Sequence, residues 1–170
     1  KINKIMDLYI KKKKINILFD LPIFLLGKKK IKKNFKQKNF ILSSWPRFSP
    51  QSCISLRRNY ASQIFKISKI KKYPNIWFDF RIAVYSFLIY KKLDIIKNYL
   101  TYYRITKNSA SSKFKTFNKD WWIRRNEAHD YFRYISKKLN IKDRFTADKI
   151  VTKMVNILFK KPNNHIVHFK

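Results

Sequence analysis

Glycine, cysteine and glutamate each occur once in this chain, as Gly27, Cys53 and Glu127. One glycine excludes a phosphate-cradling loop and a dinucleotide fingerprint, which need several glycines for tight turns and close backbone approach. One cysteine excludes an internal disulfide and a cysteine-built zinc site. Negative charge is scarce as well, with nine acidic residues in 170. Long apolar runs are missing. Residues 15–26 contain Asp20 and Pro22, and residues 76–90 contain Asp79 and Arg81, whereas a membrane-spanning helix needs about 20 predominantly apolar residues.

What the chain does have is positive charge. Forty-one Lys and Arg set a formal net charge of +32. Self-repulsion at that charge opposes a compact free protein, and a polyanion is the natural remedy. RNA or DNA supplies one phosphate per nucleotide. Anionic lipid is the weaker alternative, because it recruits short basic clusters rather than a whole basic chain. The charge is also spread: residues 1–40 hold thirteen Lys against two Asp, and Lys113, Lys115, Arg124, Arg125, Lys137, Lys138, Lys160 and Lys161 carry it onward. That distribution predicts wide contact with backbone phosphates. Disorder is the plainer reading of such charge, but 45% apolar and 17% aromatic residues oppose it. The length suits one domain, or one domain with an extended arm.

Lys outnumbers Arg 32 to 9, and Ile, Asn, Phe and Tyr are abundant while Ala is scarce. The favoured residues have A- and T-rich codons. The gene therefore reads as AT-driven, as in the mitochondrial genome of a protist, ciliate-like for example, or another AT-rich genome. The first residue is Lys rather than Met, which processing or an unusual start codon would each explain. Residues 1–40 lack the Arg and Ser bias of a transit peptide.

Hydrophobic spacing predicts a mainly α protein, a helical domain of about four to five helices with a long basic N-terminal arm. Residues 1–49 read as basic arm and linker, and residues 50–170 as a helical rRNA-binding domain. In the arm, short apolar pieces alternate with lysine runs; a helix or strand fits near 15–19, but no clean period emerges. The stretch 43–50 (SSWPRFSP) is a turn-rich linker whose two prolines block continuous helix. Leu56, Tyr60, Ile64 and Ile67 recur along one helix face, which Pro74 must end. Residues 75–90 are apolar nearly all round, as in a buried helix, with a strand still open for part of them. Residues 94–103 read as the antiparallel partner of that helix. Another helix is expected over about 120–139, with Ala128, Phe132, Ile135 and Leu139 as its apolar stripe. The last starts near Thr146, turns Ile150, Met154, Ile157 and Leu158 inward and ends at Pro162.

Catalysis finds little to build on. Glu127 and Asp130 share a helix face, but abundant Lys and Arg make ion pairing, with Arg124 or Lys138, the better account than acid–base work. His129, His165 and His168 have no carboxylate or cysteine at a recognised ligand spacing. The expectation is no enzyme, no cofactor and no metal. The informative pattern is basic residues beside aromatics: SWPRF from Ser44, LRRNY from Leu56, YYRI from Tyr102 and WWIRR from Trp121. Arginine grips phosphate with two parallel bonds, and aromatic rings stack on unpaired bases. Packing in the core is the competing role for Trp121 and Trp122.

Leu42-Ser43, Pro46-Arg47, Ser49, Cys53-Ile54 and Phe65-Lys66-Ile67-Ser68-Lys69-Ile70 occur in an order that resembles mitochondrial versions of small-subunit ribosomal protein family fourteen. That family places a Gly-Arg-Pro-Arg turn after the Cys-Ile pair, where this chain has Leu56-Arg57-Arg58-Asn59. The likeness spans 29 of 170 residues. Residues 148–158 (DKIVTKMVNIL) are similar to the opening helix of small-subunit family seven. The first resemblance implies packing on rRNA, with Arg57, Arg58, Lys66 and Lys69 on phosphate.

These readings lead to the expectation of a structural constituent of the mitochondrial ribosome in the matrix, with the small subunit favoured. It would bind and stabilise ribosomal RNA beside neighbouring ribosomal proteins, with no membrane span and no homo-oligomer. The residues expected on RNA are Lys11, Lys12, Lys13, Lys14, Lys28, Lys29, Lys30, Lys32, Lys33, Arg47, Arg57, Arg58, Lys66, Lys69, Lys71, Lys72, Arg124 and Arg125. The alternative is an accessory structural subunit of a mitochondrial respiratory or ATP-synthase complex, coded in the same kind of genome.

Overall fold

The structure is a computed structural model, and it describes residues 1–11, 15–32, 44–68, 70–106, 109, 113–143 and 145–160. Helix α1 (Ile2–Lys11) comes first. Strand β1 (Ile17–Leu26) turns at Gly27, with φ +58°, into strand β2 (Lys29–Lys32). A short strand β3 (Ile54–Leu56), helix α2 (Arg58–Ile67) and helix α3 (Phe78–Tyr90) precede strand β4 (Ile95–Arg104). Helices α4 (Lys119–Lys138) and α5 (Ala147–Lys160) follow.

The architecture is therefore mixed α/β, which corrects the expectation of a mainly α domain with a long basic N-terminal arm. β1 is the central strand of a four-stranded sheet. Its start pairs antiparallel with β3, Phe19 against Ile54, and its end pairs antiparallel with β2, Ile23 against Lys32. β4 runs parallel to β1 from the pair Phe19–Ile95 to the pair Leu25–Arg104. Because β4 overlaps both short partners in register, β2 and β3 share the opposite edge of β1. Strand pairing thus crosses the expected arm boundary at residue 50. A strand buried on both faces is apolar at nearly every position and shows no period of two, which is why residues 15–26, interrupted only by Asn16, Asp20 and Pro22, carry no clear sequence signal. Pro22 cannot donate a ladder bond, and the β4 register shifts between Leu21 and Pro22 to accommodate it.

Residues 94–103, expected as a helix, belong in all but Asp94 to β4. Ile95, Ile96, Tyr99, Tyr102 and Tyr103 are the β-branched and aromatic residues that suit a half-buried pleated surface. The core lies between this sheet and the helices. Ile17 and Phe19 of β1 meet Ile82 and Phe87 of α3, Ile64 of α2, and Tyr131, Phe132 and Ile135 of α4 in one cluster. The expected stripes on α2 and α4 face this cluster, since Tyr60, Ile67 and Leu139 pack on it as well. α3 is buried over Phe80–Leu88, as its all-round apolarity predicts. Arg81 sits within that helix, 1% exposed, and donates to the carbonyls of Ile76, Ser68 and Tyr73.

α5 departs from expectation in its orientation. Ile150, Met154, Ile157 and Leu158 face solvent rather than the core, Leu158 at 68% exposure. The buried side carries Thr152 and Asn156, and Asn156 donates to the Trp122 carbonyl of α4 at 2.9 Å. Arg125 of α4 also holds Asp148 of the first α5 turn, its Nε lying 2.7 Å from Oδ1. Polar pairing, not the apolar stripe, docks this helix.

Candidate nucleic-acid interface

The end of the sheet runs past the core. Register places Lys32, Ile23 and Tyr102 in one row across β2, β1 and β4, and Lys30, Leu25 and Arg104 in the next. Directly opposed residues on neighbouring strands share a face. This face therefore carries two aliphatic side chains in the middle, with lysines along one edge and Tyr102 and Arg104 along the other. Lys30 Nζ lies 5.7 Å from the Tyr102 ring centroid, and Lys32 Nζ lies 5.4 Å from that of Tyr99. Tyr102 is 60% exposed, and Lys30, Lys32 and Arg104 are exposed. The ion pairs among the described residues use none of these three cations. Uncompensated cations beside accessible phenol rings are the chemistry that takes phosphate and stacks unpaired bases, each stacked base contributing about 1–3 kcal/mol. A second basic surface borders a cleft of about 760 Å³ whose lining includes Lys72, Lys119, Arg133 and Lys137, moderated by Glu127 and Asp130.

The cations expected on RNA divide into three groups. Lys11, Lys28, Lys29, Lys30, Lys32, Arg47, Arg58, Lys66, Lys71 and Lys72 are exposed. Lys12, Lys13, Lys14, Lys33 and Lys69 lie outside the described residues, as do His165 and His168. Arg57, Arg124 and Arg125 are engaged within the protein. Arg57 Nε donates to the Ile15 carbonyl at 3.1 Å and its Nη2 to the Tyr9 carbonyl at 3.2 Å, while its guanidinium lies 5.1 Å from the Tyr9 ring centroid. Arg124 lies over Trp77 and Phe114, and burial lowers its pKa against the opposing pull of Asp79 and Glu127. Arg125 holds Asp148. Two neighbouring arginines read alike in sequence; here Arg57 ties α1 and the residues leading into β1 to the start of α2, and Arg58 faces solvent.

Arg104 and Tyr102 are visible in sequence as part of YYRI. Their place on an exposed sheet face, across β1 from β2, is not, because residues 94–103 read as helix. Glu127 does not pair with Arg124 or Lys138 at ion-pair distance. It accepts instead from Asn75, 2.9 Å from the main-chain N and 2.7 Å from Nδ2, and so pins the loop before α3 to α4.

Tertiary folding gives His129 partners that sequence spacing does not reveal. Its Nδ1 lies 3.2 Å from Ser44 Oγ, and its Nε2 faces Asp148 Oδ2 at 3.4 Å. Ser44 Oγ also meets Thr146 Oγ1 at 2.6 Å. A serine, histidine and aspartate in line are the parts of a nucleophile and its base. Substrate access is blocked, however: His129 is 3% exposed, Ser44 is buried, and Trp45 covers the imidazole with ring centroids 4.7 Å apart. The set ties the segment around Ser44 to α4 and α5. Burial alone would raise the Asp148 pKa, but His129 and Arg125 outweigh it and hold the carboxyl below its usual value.

Among the described residues no helix is long and apolar enough to cross a membrane, and no group of three His, Cys, Asp or Glu is placed to hold a metal. No protein-family model, curated protein or solved structure matches the chain. The local resemblances to ribosomal families fourteen and seven therefore rest on their own residues.

Proposed function

We propose that this chain is a structural constituent of a mitochondrial ribosome that binds and stabilises ribosomal RNA, with the small subunit favoured. The observation that carries the reading is the sheet face on which Lys30, Lys32 and Arg104 flank Tyr99 and Tyr102, with no carboxylate among the described residues in an ion pair with them. A formal charge of +32 supports it, because phosphate contacts release counterions and gain in number with every free cation. In this role the protein scaffolds RNA and neighbouring proteins as a single copy and performs no catalysis. The test is sedimentation of the native particle before and after RNase, with crosslinked RNA identified. Co-sedimentation that collapses on RNase, with ribosomal RNA attached to the β2–β4 face, is the expected result.

The alternative is an accessory subunit of a respiratory or ATP-synthase complex, and it would use the exposed face of α5. α5 presents Ile150, Val151, Met154, Ile157 and Leu158 to solvent, an apolar face that suits a protein neighbour. A ribosomal protein neighbour would serve as well. Sedimentation unchanged by RNase would select the respiratory reading.

A further inference from the structure

A second opening lies where α4 meets the segment from Trp45 to Phe48. The cavity has a volume of about 220 Å³; Trp45, Phe48, Phe114 and Trp121 wall it, and Arg124 and Arg125 line it beside them. The Arg125 guanidinium lies between two indoles, 5.2 Å from the Trp45 centroid and 4.9 Å from that of Trp121. Arg124 is similarly placed, 4.5 Å from the Phe114 centroid and 3.9 Å from that of Trp77. Trp45 in turn packs edge-on to Phe80 of the core, with centroids 5.0 Å apart. Phe48 also packs edge-on to Phe80, with centroids 5.8 Å apart, so these two walls are anchored to the core.

We infer that this cavity takes one unpaired nucleobase, stacked on its aromatic walls, with the flanking phosphates on cations around the mouth. The inference rests on the RNA-binding reading and adds a site to it. Size is the first argument. A water molecule occupies about 30 Å³ of liquid and drug-sized ligands need about 300 Å³ or more, so this space suits a single ring system. Composition is the second. Aromatic rings dominate the lining, and a base presents its π-face to indole and phenyl alike. Charge is the third. Among the described residues no carboxylate lines the cavity, and exposed Arg47, Lys113 and Lys115 lie on the chain segments that supply Trp45, Phe48 and Phe114. An apolar side chain from a protein partner would fill the walls but give the exposed Arg47, Lys113 and Lys115 no counter-charge.

The test uses the full chain and three RNA hairpins that share one stem: fully paired, with one bulged adenosine, and with one bulged abasic nucleotide. The bulged adenosine should bind about ten-fold more tightly than the abasic bulge and should quench tryptophan emission. Trp121→Leu and Phe48→Leu should each abolish that preference while leaving affinity for the paired stem unchanged. Equal affinity for the adenosine and abasic bulges overturns the inference and leaves general RNA binding intact. Failure to bind any of the hairpins overturns both. The comparison among hairpins is made on the unaltered protein, so it decides the matter even if a variant fails to fold.

Discussion

Arg81 rests on Tyr131, its guanidinium carbon 4.8 Å from the ring centroid, so a cation at the centre of the molecule meets an aromatic face rather than a carboxylate. Three carbonyls complete its surroundings and join the end of α2, the loop after it and the start of α3 to one side chain. Removing the guanidinium strands those acceptors in the interior. Arg81→Met should therefore lose about 3 kcal/mol or more of unfolding free energy. Arg81→Lys should recover only part, because an ammonium cannot reproduce the planar fork. Urea unfolding at fixed salt measures both, and a loss under about 1 kcal/mol for the methionine variant would contradict the assignment.

Arg57 and Arg58 should separate in the laboratory as they do in space. Arg57→Ala removes two hydrogen bonds to carbonyls and the packing on the Tyr9 ring, and should cost about 2 kcal/mol of stability. Arg58→Ala should change stability by no more than about 0.5 kcal/mol, as for an ordinary exposed position, and weaken RNA binding instead. Thermal melts paired with a filter-binding assay read the two effects. The same melting temperature for both variants would refute the distinction.

Replacing Lys30, Lys32 and Arg104 together with Gln should lower the slope of log affinity against log salt by about 2–3, close to one for each phosphate no longer neutralised. The melting temperature should hold, since none of the three is in an ion pair among the described residues. Matching Gln substitutions at Arg124 and Arg125 should do the reverse and lower the melting temperature first. An unchanged salt slope in the triple variant would remove the sheet face from the interface.

Asp148 links folding to acidity. Its burial would raise the pKa, and His129 and Arg125 more than reverse that, so the folded value lies below the ordinary 3.8. A carboxyl with a depressed folded pKa binds its proton more readily when unfolded. Its stabilisation is therefore complete above the unfolded pKa and is lost as pH falls through the folded one. Asp148→Asn should flatten the unfolding curve below about pH 4 and leave its shape at higher pH alone. Urea midpoints from pH 3 to 6 check this, and an unaltered acid slope in the variant would reject it.

Several elements are legible in the sequence because a local pattern specifies them. Ala128, Phe132 and Ile135 mark the inner face of α4 by spacing alone, and Tyr60, Ile64 and Ile67 do the same for α2. The sheet is hidden for a different reason. β1 is buried on both sides and carries no alternation, and β4 holds tyrosines and isoleucines that fit either element until a neighbouring strand is supplied. On α5 the period is clear but its sense is not. An apolar stripe shows that a face seeks cover, while Arg125 and Asn156 decide which face meets α4.

By itself the sequence determined the sign and scale of the charge, the want of glycine and cysteine, and the aromatic richness that points toward a polyanionic partner. Those are sums, and a sum needs no geometry. Only the tertiary structure decided which cations are spent inside, as Arg57, Arg81, Arg124 and Arg125 are, and which stand on open surface, as Lys30, Lys32 and Arg104 do. Whether a charge is available depends on distances of a few ångströms to carbonyls, rings and carboxylates far away along the chain, and such distances exist only once the chain has folded.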